Sequence, residues 1–296
     1  MIGALGTTLF FALTAVFANR AATQLGSLTA NFWRLLLALV LLGLWAHLGG
    51  MGLQGTGRMW FFVSGLAGFG LGGLAMFQSL PRLGSNLSML IVQCGTAVIA
   101  AVVEWLWLGT RLTPIQISFA SLTLAGVIVG LLPKNLPKFS PTAFRAGVAW
   151  AVVSAAGQAL GAVLSRKAFM LAKAAHELPD PATTAYQRAI GGLLVATLAM
   201  FAGRILSKRH EPPLSGIKTS WPWVLANTLT GPVLGVTCYQ WALSTTAAGI
   251  VQPIVATSPL ATIPLAAWLE HSRPRFGYYI GACLAVAGVI GLYLSR

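Results

Sequence analysis

The sequence predicts an all-α integral membrane protein whose ten transmembrane helices form two inverted five-helix repeats. Three observations predict it. Of 296 residues, 56% are hydrophobic and only 8% charged, where a soluble domain carries about 25% charged residues. The apolar residues gather in about ten runs of roughly 18–22 residues, the length a helix needs to cross a bilayer. These runs lack the polar face that a soluble core helix would show. Finally, the chain writes one stretch twice: 84–130 and 249–291 each run apolar to a glutamate (Glu104, Glu270), break at Arg and Pro, and end a second apolar run in Ala-Gly-Val-Ile.

Helices are expected at 2–18, 28–48, 59–80, 84–103 and 114–132, then at 144–165, 183–203, 221–243, 248–268 and 275–294. The first opens on MIGALGTTLFF, with no basic leader and no clear cleavage site, so it reads as a membrane helix and not a signal peptide. The third is crowded by Gly65, Gly68, Gly70, Gly72 and Gly73. The fourth closes at Glu104, and Pro114 opens the fifth. The ninth carries Pro253, Pro259 and Pro264, which interrupt its hydrogen-bond ladder. Kinks at such residues make the third and ninth helices candidate gates. The loops at 133–141, 167–181 and 204–220 are rich in Pro and charge. The first divides the chain into repeats 1–132 and 144–296, with a linker at 133–143.

The halves match helix by helix. Asn19-Arg20 falls opposite Ser165-Arg166, Arg34 opposite Arg188, and Phe77-Gln78 opposite Tyr239-Gln240. Asn86, Thr96 and Glu104 fall opposite Gln252, Thr262 and Glu270 at one constant offset. An odd helix number per half sends the second half into the membrane from the other side, and such repeats place solute sites near the midplane. The pairs Gly68/Gly72, Gly126/Gly130, Gly157/Gly161, Gly231/Gly235 and Gly277/Gly281 have the four-residue spacing of close helix contacts.

The net charge is +14, spread through short loops with no aromatic interleaving, so lipid phosphates are the expected partner and nucleic acid is not. Many of the ten Trp fall near run ends, the usual interfacial position. The three Cys lie inside apolar runs, with neither disulfide nor metal spacing. The five acids and four His all lie at helix ends or in loops. No catalytic motif is visible, and no metal or cofactor is expected.

What remains at membrane depth is neutral and polar. Gln78, Gln240, Tyr239, Gln93, Asn86, Gln252, Gln158, Asn227 and Ser258 are the candidate substrate-binding residues, with Trp241, Phe77 and Trp150 as apolar walls. Amides and hydroxyls can recognise a neutral or zwitterionic solute without burying a charge. Each has a competing role as interhelical glue. Gln78 and Gln240 are expected to face one solute as a pair. Glu104 and Glu270 read as structural acids that need a donor, with Arg111 and Arg273 nearest.

At the glutamate–break–helix unit, written twice in ten helices, the chain resembles the EamA-type branch of the drug/metabolite transporter superfamily, including YddG-like exporters. Arg34 and Arg188, Glu104 and Glu270, and Gly126 and Gly288 carry the likeness. The second copy departs in having only His271-Ser272-Arg273 between Glu270 and Pro274. The resemblance implies a bacterial inner-membrane exporter of amino acids or similar small metabolites, acting by alternating access as a monomer. It also implies a central cavity lined by the first, third, fourth, sixth, eighth and ninth helices, and cytoplasmic termini. Loop charge leans the other way, with Arg20, Arg82, Arg145 and Lys208 on the side opposite the termini. A multidrug exporter and a non-transport membrane protein such as an intramembrane enzyme are the alternatives.

Overall fold

A computed structural model describes residues 1–132, 140–206, 217–270 and 276–295, with side chains omitted at 204–206, 217–219 and 266–270. All regular structure among them is helical. The helices are α1 (Ile2–Leu25), α2 (Ser27–Leu48), α3 (58–83), α4 (85–108) and α5 (Pro114–Leu131), then α6 (Pro141–Ala174), α7 (Pro181–Leu206), α8 (217–245), α9 (248–270) and α10 (Phe276–Leu294).

The arms α3 and α4 belong to one helical run of 51 residues, Arg58–Leu108. Straight, it would reach about 77 Å, more than twice the ~30 Å of a bilayer's hydrocarbon. It does not stay straight. Gly84 has φ 77° and ψ 167°, a left-handed φ that only glycine takes at no steric cost. The Ser79 hydroxyl then reaches Ser88 Oγ at 2.8 Å, where a straight helix would hold the two residues about 13 Å apart. The chain therefore folds back on itself at Gly84.

Eight helical runs, counting Arg58–Leu108 once, are long and apolar enough to cross a membrane. With 217–245, the protein has eight or nine candidate spans and is a multi-pass, all-α membrane protein. Its outer surface agrees: Val40, Leu44, Val98, Leu198 and Ile290 are each about half exposed or more. Its interior is small-residue packing, with Ala4, Ala12, Ala38, Ala159, Ala162 and Ala168 fully buried, as helix association in lipid requires.

Two helices run past their expected ends. α1 continues to Leu25 and α6 to Ala174, because the sequences ANRAATQL and SRKAFMLAKA are rich in good helix formers and contain no proline. Asn19, Arg20 and Arg166 are thus within helices. The loop at 133–139 lies outside the described residues. Ser140 caps α6, its Oγ accepting from the Ala143 N–H at 3.2 Å.

The glycine pairs set the helix contacts. A Cβ at Gly157 on α6 would lie 2.8 Å from the Gly72 nitrogen on α3, and one at Gly161 would lie 3.0 Å from Gly68 Cα. Gly126 and Gly130 on α5 meet Gly281 on α10 equally closely. Gly277 is looser, its nearest neighbour the Val129 carbonyl at 3.7 Å.

Distortion falls in α3, α8 and α9, and at the end of α4, where Glu104–Leu108 is a π-turn. α3 has a π-turn at Leu66–Gly72, and α8 has one at Leu229–Gly235. α9 breaks between Ala248–Val255 and Ser258–Glu270. There Pro259 lacks an N–H and its ring opposes the preceding turn.

Candidate functional site

The distorted segments of α3, α8 and α9 surround a cavity of about 270 Å³. Phe11 comes to it from α1, Asn31 and Arg34 from α2, Gly73 and Phe77 from α3, and Gln93 from α4. Gln158, Arg188, Tyr239 and Gln252 come from α6, α7, α8 and α9. Both halves of the chain build it, and α2 and α7 take part, beyond the six helices that the resemblance implied.

Four of the nine expected polar residues line this cavity, Gln93, Gln158, Tyr239 and Gln252, and of the three expected walls Phe77 does. Gln252 Nε2 donates to the Tyr239 hydroxyl at 2.7 Å. Gln158 Nε2 donates to Ser154 Oγ at 3.3 Å, and Ser154 in turn donates to the Gly72 carbonyl at 2.7 Å. Ser258 stands behind Gln93, accepting from its Nε2 at 3.4 Å.

The structure does not bring the others to it. Gln78 is exposed and its Oε1 accepts from Arg82 at 3.0 Å. Gln240 is fully buried, and neither of its amide atoms has a hydrogen-bond partner. The expected Gln78–Gln240 pair therefore does not form. In both halves the preceding aromatic, Phe77 or Tyr239, points into the cavity, and the next residue is turned by ~100° away from it. Asn227 Oδ1 accepts from Thr14 at 2.8 Å. Trp241 and Trp150 are 45% and 40% exposed, on the outer surface.

Asn86 lines a separate cleft of about 510 Å³ with Asn19, Arg20, Met89 and Pro259. Met89 lies one turn from Gln93 and Pro259 two turns from Gln252, both toward the Gly84 end. The cleft thus lies on the Gly84 side of the cavity.

The opposite end is tied shut. Glu104, 1% exposed, has Oε1 3.3 Å from Arg166 Nε, and its Oε2 accepts the Gly249 N–H at 3.0 Å. Arg166 Nη1 also donates to the Leu243 carbonyl at 2.7 Å. This latch joins α4, α6, α8 and α9. Arg166 is the partner in place of the expected Arg111, which is exposed, and Arg273 lies outside the described residues. The helix does not end at Glu104 but continues through the turn Glu104–Leu108, so the carboxylate faces α6. The side chain of Glu270 is not among those described.

Sequence reasoning missed the two cavity arginines as site residues. Arg188 is 5% exposed. Its Nη1 reaches Ser165 Oγ at 3.4 Å, and its guanidinium lies 5.0 Å from the Phe69 ring and 5.4 Å from the Tyr239 ring. Arg34 Nη2 donates to Asn31 Oδ1 at 2.8 Å. The Nε of each is buried without a partner. A Cβ at Gly68 would come within 2.6 Å of Arg188 Nη2, so glycine there keeps room for the guanidinium. The signal was present: an ionisable residue at membrane depth is a functional candidate by default.

The remaining described acids serve the loops. Asp180 Oδ1 caps α7, accepting from the Ala182 and Thr183 N–H groups at 3.1 and 3.0 Å. Glu177 accepts the Thr56 N–H at 2.8 Å, which holds its carboxyl below the usual range. No group of three His, Cys, Asp or Glu gathers among the described residues.

The sequence matches the EamA-like transporter family over residues 1–132 and 145–294. No curated protein matches it. Among 29 matching chains of solved structures, one crystal structure superposes with a TM-score of 0.76 at 19% identity, covering 99% of this chain and 96% of that one. At that identity the likeness is one of fold.

Proposed function

Since the chain belongs to the EamA-like transporter family and is a membrane transporter and not an enzyme, we propose that it exports small polar metabolites by alternating access through the central cavity. Amino acids or similar neutral or zwitterionic solutes are its candidate cargo, as in YddG-like exporters. The observation that carries this reading is the cavity itself, which draws equivalent residues from the two halves: Arg34 with Arg188, and Phe77 with Tyr239.

Ten crossings in two inverted repeats, 1–132 and 144–296, account for the contact pattern. α1 packs on α8 and α9, as α6 packs on α3 and α4. α2 packs on α7, and α5 on α10. Every such contact has its counterpart when the halves are exchanged, as a pseudo-two-fold axis in the membrane plane requires. Two of the three described π-turns, Leu66–Gly72 and Leu229–Gly235, are matched in the same way. π-turns collect at functional positions and give α3 and α8 a place to bend. In this cycle the Glu104–Arg166 latch closes one end while the Asn86 cleft leads to the other.

The protein works as a monomer in the bacterial inner membrane with both termini cytoplasmic; a C-terminal reporter active only in the periplasm would overturn that orientation. Counterflow in proteoliposomes with a panel of amino acids and small organic acids tests the function. Flux of at least one solute is expected, and none of any would count against export through this cavity.

A further inference from the structure

We propose that Arg34 and Arg188 are the two arms of an oxyanion receptor, so that the transported solute carries a carboxylate or phosphate group. This rests on the transport reading of the cavity and adds a substrate class to it.

Two guanidinium groups line one small cavity, and no carboxylate among the described residues lines it with them. Arginine stays charged in proteins, and a charge out of water needs a partner. The neighbours of these two are neutral ones. Arg34 has an amide, Asn31, and Arg188 has the Ser165 hydroxyl at 3.4 Å, the Tyr239 hydroxyl and two ring faces. Both Nε atoms remain without any partner.

Arg166 shows what a structural arginine looks like in the same protein. It spends its donors on the Glu104 carboxylate and the Leu243 carbonyl. Arg34 and Arg188 meet only neutral partners among the described residues and keep each Nε free at the cavity wall, where glycine at 68 leaves space around the second. A guanidinium presents a planar fork suited to a carboxylate or phosphate. Two such forks, one from each half of the chain, are both positive, and an anion held between them would offset both charges.

The rest of the lining describes the rest of the solute. Phe11, Phe69, Met76 and Phe77 offer apolar and aromatic walls, and Gln93 and Gln252 offer amides. The cavity volume of about 270 Å³ falls just under the range of drug-sized sites. A small organic anion with an apolar or aromatic body fits this set. An ammonium group finds no acid among the described lining residues, which sets this receptor against cationic drugs.

The test is binding to the purified full-length protein, read as ligand-induced stabilisation against heat. The probes are phenylacetate, phenyl phosphate, phenylacetamide and phenethylammonium. In the wild type at least one of the two anions should bind about tenfold or more tighter than the amide, as the loss of a charge-assisted hydrogen bond implies. Phenethylammonium should bind worst. The two anions separate carboxylate from phosphate recognition. Arg34→Gln and Arg188→Gln should each weaken the preferred anion by about tenfold or more. The proposal is overturned if the amide or the ammonium ion binds as tightly as the anions, if neither anion binds at millimolar concentration, or if a folded Gln variant keeps wild-type anion affinity. Should both variants fail to fold, the wild-type ranking decides alone. Counterflow separates this proposal from the transport reading. Anion binding with no flux of any solute leaves the receptor and removes the transport; flux of phenethylammonium in preference to phenylacetate does the reverse.

Discussion

Replacing Glu104 with glutamine should loosen the latch without touching the cavity. The wild-type carboxylate holds Arg166 at 3.3 Å through Oε1 and the Gly249 N–H at 3.0 Å through Oε2. Breaking a buried ion pair costs about 3–5 kcal/mol when it strands a charge. Here Arg166 is 16% exposed and keeps the Leu243 carbonyl at 2.7 Å, so the lower part of that range is the ceiling. Glutamine also retains an acceptor for Gly249. A loss of about 2 kcal/mol follows for Glu104→Gln. Glu104→Ala leaves the Gly249 N–H unpaired as well and should lose about 1–3 kcal/mol more. Reversible denaturant unfolding of the purified protein measures both. A double-mutant cycle with Arg166→Gln should give a coupling of about 1 kcal/mol or more, since the two side chains touch. Strict additivity, or a glutamine variant within about 0.5 kcal/mol of wild type, would refute the latch. A folded Glu104→Gln protein that had lost pH-dependent transport would refute the structural role and make Glu104 a proton carrier.

Three further outcomes are expected. Gly157→Val should destabilise the protein by about 1–3 kcal/mol or more, because its side chain would enter the Gly72 backbone; denaturant unfolding checks it. Gln240→Leu should be neutral or stabilising with solute binding unchanged, since it removes two buried amide atoms that have no partner; a clear loss of binding in a folded variant would return Gln240 to the site. The Thr56 N–H holds the Glu177 carboxyl below its usual range, so this contact stabilises the fold above the unfolded value near 4.3 and is lost as pH falls through the lower folded value. Glu177→Gln should accordingly flatten that part of the stability–pH curve, measured by thermal unfolding at stepped pH.

The apolar spans and the close glycine contacts were legible because they rest on properties that sequence carries directly. Apolar run length marks a span, and the glycine pairs at 68/72, 157/161 and 126/130 mark where backbones meet. Helix ends were less legible where no proline or glycine stops the ladder, as at Asn19 and Arg166. The cavity was half legible. Gln93, Gln158, Tyr239 and Gln252 were found from their polarity at depth. Gln78 and Gln240 were paired from their equivalence across the repeat, which does not fix the side of the helix they face. The π-turns at Leu66–Gly72 and Leu229–Gly235 precede them, and the aromatic before each glutamine lines the cavity instead. Arg34 and Arg188 were paired across the repeat but left out of the site, which was read from neutral polar residues alone; a buried charge without a protein counter-ion is costly. That cost is what a bound anion would offset.

The central claim, that solute crosses through this cavity, is tested most directly at Gly73. The residue lines the cavity, and a Cβ built on it meets nothing within 4 Å, so a phenylalanine there fills the pathway without entering a helix contact. Its backbone is helical, with φ −64°, where replacing glycine costs no strain and gains some helix propensity. Counterflow of the solute panel should be measured in proteoliposomes holding wild-type or Gly73→Phe protein, with unfolding of each followed in parallel. The account predicts that flux is abolished while stability is kept or raised. Undiminished flux through a folded Gly73→Phe protein would contradict it.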